Sequence, residues 1–221
     1  RKAYEKALNL GADVYHFHDP ELLGLCIRLK KRGCRVIYDV HEDVPRQILA
    51  KGWIPKFSRH IISQLFEYYE NRCVKKYDAI VVATPFIKDR FVDINSSIWV
   101  VSNFPSLNDI CYSGNNYSNS NPGCYIGDLT NTRGIKEISQ ATYKEELELT
   151  LCGKFSSPNL EQEILNNFDN VRYLGYLDRK EISQVLTNSS MGFVTLLDSP
   201  NDATSYPIKL FEYMAAGIPV I

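Results

Sequence analysis

The sequence predicts an α/β protein built from two Rossmann-like parallel-sheet domains, and three observations lead there. Short β-branched and aromatic runs alternate with amphipathic stretches, the pattern of βαβ units that feed a parallel sheet. The alternation breaks at a polar stretch near Asn108 and restarts beyond it, which divides the pattern between two sheets. The chain has 221 residues, 44% of them hydrophobic, enough for two small cores and too apolar for a disordered segment. The domains are expected at residues 1–107 and 124–221, with a linker or long loop at 108–123.

In the first half, Val14–Phe17 reads as a buried strand and Pro20 to about Lys31 as the helix after it. Pro20-Glu21 suits a helix opening and Lys30-Lys31-Arg32-Gly33 an ending. Arg35–Asp39 is the next strand. The segment from about Lys56 to Lys76 is the clearest helix, because Ile61, Ile62, Leu65, Phe66, Tyr69 and Cys73 recur at helical spacing on one face. Ala79–Ala83, a short helix over Pro85–Phe91 and Ile98–Val101 complete this half.

Ser113 to Gly123 is rich in Asn, Ser and Gly and cannot contribute to a core. Beyond it, Cys124–Gly127, Leu147–Cys152, Val171–Leu174 and Met191–Thr195 read as strands. Helical stretches near Gly134–Ala141, Leu160–Asn167 and Arg179–Asn188 separate them. Pro207 opens a last helix, Gly217 closes it, and Pro219 leads into a strand cut short at Ile221. With Arg1 in place of an initiating Met, both domains are expected to be truncated pieces of a longer protein.

Composition narrows the function. No apolar run approaches the ~18 residues that a membrane-spanning helix needs. The six cysteines are scattered, with no C-x-x-C and no pairing with histidine, so neither a zinc site nor a disulfide scaffold is expected. A reducing compartment is therefore expected. The net charge of −1 hides an asymmetry: residues 1–107 hold 17 Lys and Arg against 12 Asp and Glu, residues 108–221 hold 8 against 14. The basic half suits an anionic membrane surface, but so small an excess fits ordinary surface scatter somewhat better. Lys51, Lys56 and Arg59 flank Trp53 and Phe57, a combination suited to an interface. No nucleic-acid partner is expected.

Doubly wound sheets place ligands outside the carboxyl ends of their strands, in the crevice between domains. After the first strand stand His18 and Asp19, and after the second His41 and Glu42; imidazole beside carboxylate suits a hydroxyl-rich or anionic substrate, and a capping Asp with a structural His fits the same residues equally well. His16 falls inside its strand and reads as core, and His60 as surface. Gly127 and Gly134 bracket a strand–loop–helix turn in which Arg133 can contact a phosphate, although an ordinary βα turn fits the same residues. Gly153 and Gly175 also follow strands. Near the start of the last helix, Lys209 and Glu212 share a face: the lysine suits phosphate, and the carboxylate suits two vicinal ribose hydroxyls or a plain ion pair with the lysine.

Asp39-Val-His-Glu42, Tyr125-Ile-Gly-Asp128 with Arg133-Gly-Ile135, and Pro207-Ile-Lys-Leu-Phe-Glu-Tyr-Met-Ala-Ala-Gly-Ile-Pro-Val-Ile221 together resemble retaining glycosyltransferases of the GT-B fold, family 4 type. Val101-Ser-Asn-Phe-Pro105 resembles that family's domain junction. The resemblance implies a nucleotide-sugar donor on the second domain and a glycan or lipid-linked acceptor on the first. Glu212 would hold the ribose, Arg133 and Gly127 the diphosphate, and His41 the reacting sugar, with Tyr173–Tyr176 near the base. Sugar transfer with retention would serve surface-polysaccharide or glycolipid assembly, at the cytoplasmic membrane face, without a metal or other cofactor. Two positions depart from the family pattern. The carboxylate expected eight residues before Glu212 is Thr204, and the arginine expected after Gly127 is Asp128. A nucleotide-sugar epimerase of similar shape and a catalytically silent partner subunit are the competing readings, and the piece alone is expected to be inactive.

Overall fold

The computed structural model describes residues 2–106, 110, 121–196 and 206–221. They form two compact units, the first running through Asn103 and the second starting at Phe104. Most of the expected linker and Thr204 lie outside the described residues. Gly123, assigned to that linker, already begins a strand.

Unit 1 is a parallel sheet in chain order: β1 (Val14–Phe17), β2 (Arg35–Val40), β3 (Ala79–Val82) and β4 (Ile98–Val100). Its helices are α1 (Lys2–Leu10), α2 (Leu23–Lys30), α3 (Val44–Ala50), α4 (Lys56–Val74) and α5 (Pro85–Asp89). The helix expected from Pro20 begins as one tight 3-10 turn before α2 takes over. Thr84 caps α5 by accepting the Ile87 N–H at 3.2 Å, with Pro85 supplying a preset first turn. In the core, the Phe17 ring stacks on Tyr38 at 4.8 Å and meets Tyr77 edge-on at 5.5 Å.

Three sequence expectations change here. β1 is an edge strand, so only Phe17 is buried and His16, expected in the core, stands exposed beside Asp39. The apolar face proposed for α4 is mostly not the buried one. Cys73 is buried and Phe66 packs partly against the core, but Ile61, Ile62, Leu65 and Tyr69 are exposed. Ser63 and Glu70 face inward instead, because hydrogen bonds and an ion pair satisfy them there. Helices α1 and α3 went unread, since both are short and bury little: Tyr4 in α1, Pro45 and Ile48 in α3.

Unit 2 holds β5 (Gly123–Ile126), β6 (Leu149–Cys152), β7 (Val171–Gly175) and β8 (Met191–Gly192), all parallel and ordered β7-β6-β5-β8. Helices α6 (Ile135–Lys144), α7 (Pro158–Asn167), α8 (Arg179–Thr187) and α9 (Ile208–Ala216) accompany it. Every residue of β5 and β6 is buried, as expected for strands inside a parallel sheet. Val220 forms a parallel bridge to Gly192 where the strand after Pro219 was expected. The ends of β5 and β6 come together tightly: Gly153 has φ +141°, and a Cβ there would lie 1.9 Å from the Gly127 carbonyl oxygen. Only glycine permits that approach.

Gly153→Ala should therefore destabilise the chain by roughly 2–4 kcal/mol, from positive φ and backbone overlap together. Gly175→Ala, at φ +71° with open space around it, should cost only about 1 kcal/mol. Urea unfolding followed by circular dichroism measures the difference; equal losses would show that the close approach does not matter.

Candidate functional site

The carboxyl end of β5 opens into a cavity of about 430 Å³ within unit 2. Gly127, Arg133, Lys209 and Glu212, all singled out from sequence, line it together. Gly153 and Gly175 do not line it; they shape the strand ends behind it, where the Gly153 N–H donates to the Gly175 carbonyl at 2.7 Å. Asp128, Tyr176, Asp178 and Arg179 complete the polar lining.

Local structure explains each position. Thr130 accepts the Arg133 N–H at 3.2 Å, and the Thr195 hydroxyl donates to the Arg133 carbonyl at 2.8 Å, which fixes the turn between β5 and α6. Lys209 stands in the first turn of α9, half-buried over the Tyr125 ring at 3.8 Å, and its ammonium donates to the Tyr125 hydroxyl at 2.5 Å. Burial, helped by Arg133 and opposed by Asp128 and Glu212, pulls the Lys209 pKa down from 10.5 to about 7. Burial likewise pushes Tyr125 up to about 12. Glu212 is buried, and its ion-pair partner is Arg179 at the start of α8, not Lys209.

No side chain caps the start of α9, which leaves its first amides suited to an anion. The start of α8 is closed instead by a reciprocal box, Asp178 accepting from Glu181 N–H and Glu181 accepting from Asp178 N–H. Cationic side chains, unfilled helix amides and a carboxylate at one cavity suit a phosphorylated, hydroxyl-bearing ligand. Arg179 and Thr195 were missed. Arg179 is hidden in sequence by its capping-box neighbours, and Thr195 acts only through a contact 62 residues distant.

Unit 1 has a cavity of about 770 Å³ lined by His18, Asp19, His41 and Glu42 together. Asp39 Oδ2 lies 3.1 Å from His16 Nε2 and 3.4 Å from His41 Nε2, and the His18 and His41 rings meet edge-on at 5.7 Å. Ile62, Phe66 and Tyr69 of α4, with Trp53, form an apolar wall. Asp43, next to this histidine loop, is buried and ion-pairs with Arg90 Nη1 at 3.1 Å, and Arg90 Nη2 reaches the fully buried Glu70 at 2.6 Å. The Tyr38 hydroxyl donates to Glu70 at 3.0 Å. Burial pushes the Glu70 carboxyl up while Arg90 pulls against it. This network was also unread, its members being spread from Tyr38 to Arg90. Among the described residues, no three His, Cys, Asp or Glu side chains are grouped to hold a metal ion.

Two Rossmann-like parallel-sheet units, each with a cavity at its strand ends, give the chain a two-domain α/β fold of GT-B architecture. Residues 1–107 match the Glycosyltransferase Family 4 model and residues 124–221 the Glycosyl transferases group 1 model; the chain belongs to this glycosyltransferase family. Sucrose-phosphate synthase from Thermosynechococcus elongatus is similar in structure, with TM-score 0.72, 16% identity, and coverage of 99% of this chain and 59% of that one. The catalytic domain of starch synthase IV from Arabidopsis thaliana, bound to ADP and acarbose, matches with TM-score 0.63, 11% identity, and coverage of 100% and 58%. At such identities the likeness is one of fold, and the chain spans less than two thirds of either protein. No curated protein matches the chain.

Folding holds Lys209 at a pKa near 7 against 10.5 when unfolded, so between those values the unfolded chain binds more protons and stability rises with pH. Lys209→Met should remove that rise. From pH 7 to pH 10, the urea midpoint of the chain should climb relative to that of the variant. Parallel profiles would show that Lys209 is not desolvated.

Proposed function

We propose that the chain carries the donor site and the acceptor-side cavity of a glycosyltransferase that moves a sugar from a nucleotide-sugar to a glycan or lipid-linked acceptor, with retention. The observation that carries this reading is the joint lining of one cavity by Gly127, Arg133, Lys209 and Glu212. Arg133, Lys209 and the α9 amides bind the diphosphate and stabilise it as it departs. Glu212, steadied by Arg179, accepts the ribose hydroxyls, and Tyr176, largely exposed at the cavity, stacks on the base. His41, with Asp39 at one ring nitrogen, acts at the reacting sugar. The acceptor occupies the unit 1 cavity, whose apolar wall suits a lipid-linked substrate. Assembly of surface polysaccharide or glycolipid at the cytoplasmic face of an anionic membrane is the setting that this chemistry fits.

One observation favours a second reading, a donor-binding subunit without turnover. Asp128 puts a negative charge in the cavity where the family resemblance expects an arginine. Transfer by the whole protein decides between the two. In that protein, His41→Ala should lower turnover while leaving nucleotide affinity nearly unchanged; equal loss of both would remove His41 from the chemistry.

Calorimetry on the chain tests the donor site. Glu212→Ala should weaken nucleoside and nucleoside diphosphate alike by about ten- to a hundredfold, the range expected for hydrogen bonds to a charged group. Arg133→Ala should weaken the diphosphate similarly and leave the nucleoside unaffected. If neither variant alters binding of either ligand, while circular dichroism shows both folded, the donor-site reading is wrong.

A further inference from the structure

We propose that the outward face of α4 is a docking surface for an anionic lipid bilayer. Phe57, Ile61, Leu65 and Tyr68 follow one another at helical spacing and are 84%, 59%, 64% and 62% exposed. Trp53, just before the helix, is 79% exposed and continues the patch. Large apolar residues exposed in a row mark an interaction site, unlike the single exposed residues common on any surface.

Charge identifies the partner. Lys56, Arg72, Lys75 and Lys76, on α4 or at its ends, and Lys51, at the end of α3, are all exposed. The two carboxylates of α4 are turned away: Glu67 pairs with Arg46, and Glu70 is buried against Arg90. The exposed side of α4 is therefore apolar and cationic, with no carboxylate. Cations also sit on its aromatic residues, Lys51 at 5.7 Å from the Trp53 ring and Arg72 donating to the Tyr68 hydroxyl at 2.9 Å. Aromatic side chains at headgroup depth with lysines reaching anionic lipid are the chemistry of an interfacial helix. Arg59, which the sequence groups with these cations, serves otherwise: it donates to the carbonyls of Ile54, Leu49 and Gly52 and stiffens the loop that presents Trp53. The inference deepens the proposed membrane setting, and a neighbouring row of the same helix supplies Ile62, Phe66 and Tyr69 to the unit 1 cavity.

Vesicle co-sedimentation of the chain tests it, comparing phosphatidylcholine vesicles with vesicles containing about 40% phosphatidylglycerol. The chain should bind the anionic vesicles at least tenfold more tightly, and binding should fall steeply as salt rises. Ile61→Glu with Leu65→Glu should weaken that binding at least tenfold with an unchanged circular dichroism spectrum. Should that variant misfold, Phe57→Ser with Tyr68→Ser replaces it. Absent or equal binding to the two vesicles would overturn the proposal, and so would full binding by the folded variants. Sedimentation equilibrium showing a dimer that the variants dissociate, without vesicle binding, would assign the face to a second copy and overturn it too. Intact nucleoside diphosphate binding alongside failed vesicle binding would refute this inference while leaving the donor site standing.

Discussion

Helix α9 is tied to the end of β5 from two directions, and the unit 2 cavity depends on that seam. The Tyr213 hydroxyl accepts the N–H of Ile126, the last residue of β5, at 3.0 Å, while Lys209 donates to the hydroxyl of Tyr125 one residue earlier. Tyr213 is wholly buried, so the Ile126 amide would otherwise be left unsatisfied away from water, at about 1–3 kcal/mol. Between these bonds the helix has little freedom to rotate. Glu212 is thereby held at the cavity beside Arg179, and Lys209 stays within 3.1 Å of where a side chain on Gly127 would begin. The site is made from the same contacts that close the unit 2 core, which includes Tyr213, Ile126 and Cys152.

Unit 1 fixes its functional loop by a different means. The turn after β2 bears His41 and Glu42 outward and Asp43 inward, where Asp43 also accepts the Arg46 N–H that starts α3. Asp43 is anchored to Arg90, and Arg90 to Glu70, deep under α4. Buried ion pairs of this sort add little net stability, yet removing one partner strands a charge and costs several kcal/mol. Such an arrangement tolerates few alternatives, so it fixes the direction in which the histidine loop leaves the sheet.

The sequence made the architecture legible because periodicity and strand-end glycines are local signals. Gly127, Arg133, Lys209 and Glu212 were found for the same reason: they lie beside turns and helix starts that the chain announces within a few residues. What stayed hidden was long-range. Arg179 meets Glu212 across 33 residues and Tyr38 meets Glu70 across 32, and neither spacing carries a pattern. The faces of α4 were misjudged on different grounds. Helical spacing groups Ile61 with Leu65 and Ile62 with Tyr69, but it cannot say which apolar row faces the core when a third face, bearing Ser63, Glu70 and Cys73, is the buried one. Hydrophobicity alone assumes that charge lies outside, and Glu70 reverses that assumption because Arg90 and Tyr38 are waiting for it.

The same reasoning bears on the charge of the unit 2 cavity. Lys209 is held on an aromatic ring beside Arg133, with no ion-pair partner among the described residues, and its positive form is disfavoured there. Asp128 softens that penalty without abolishing it, and the Glu212 carboxylate is engaged with Arg179. On the proposed reading, a diphosphate entering the cavity supplies the missing negative charge, so Lys209 takes up a proton as the ligand binds. An arginine in place of Asp128 would push Lys209 further toward neutrality in the empty site. On that reading, the acidic residue at 128 and the buried lysine at 209 form a matched pair, and Asp128 is more than a loss from a family pattern.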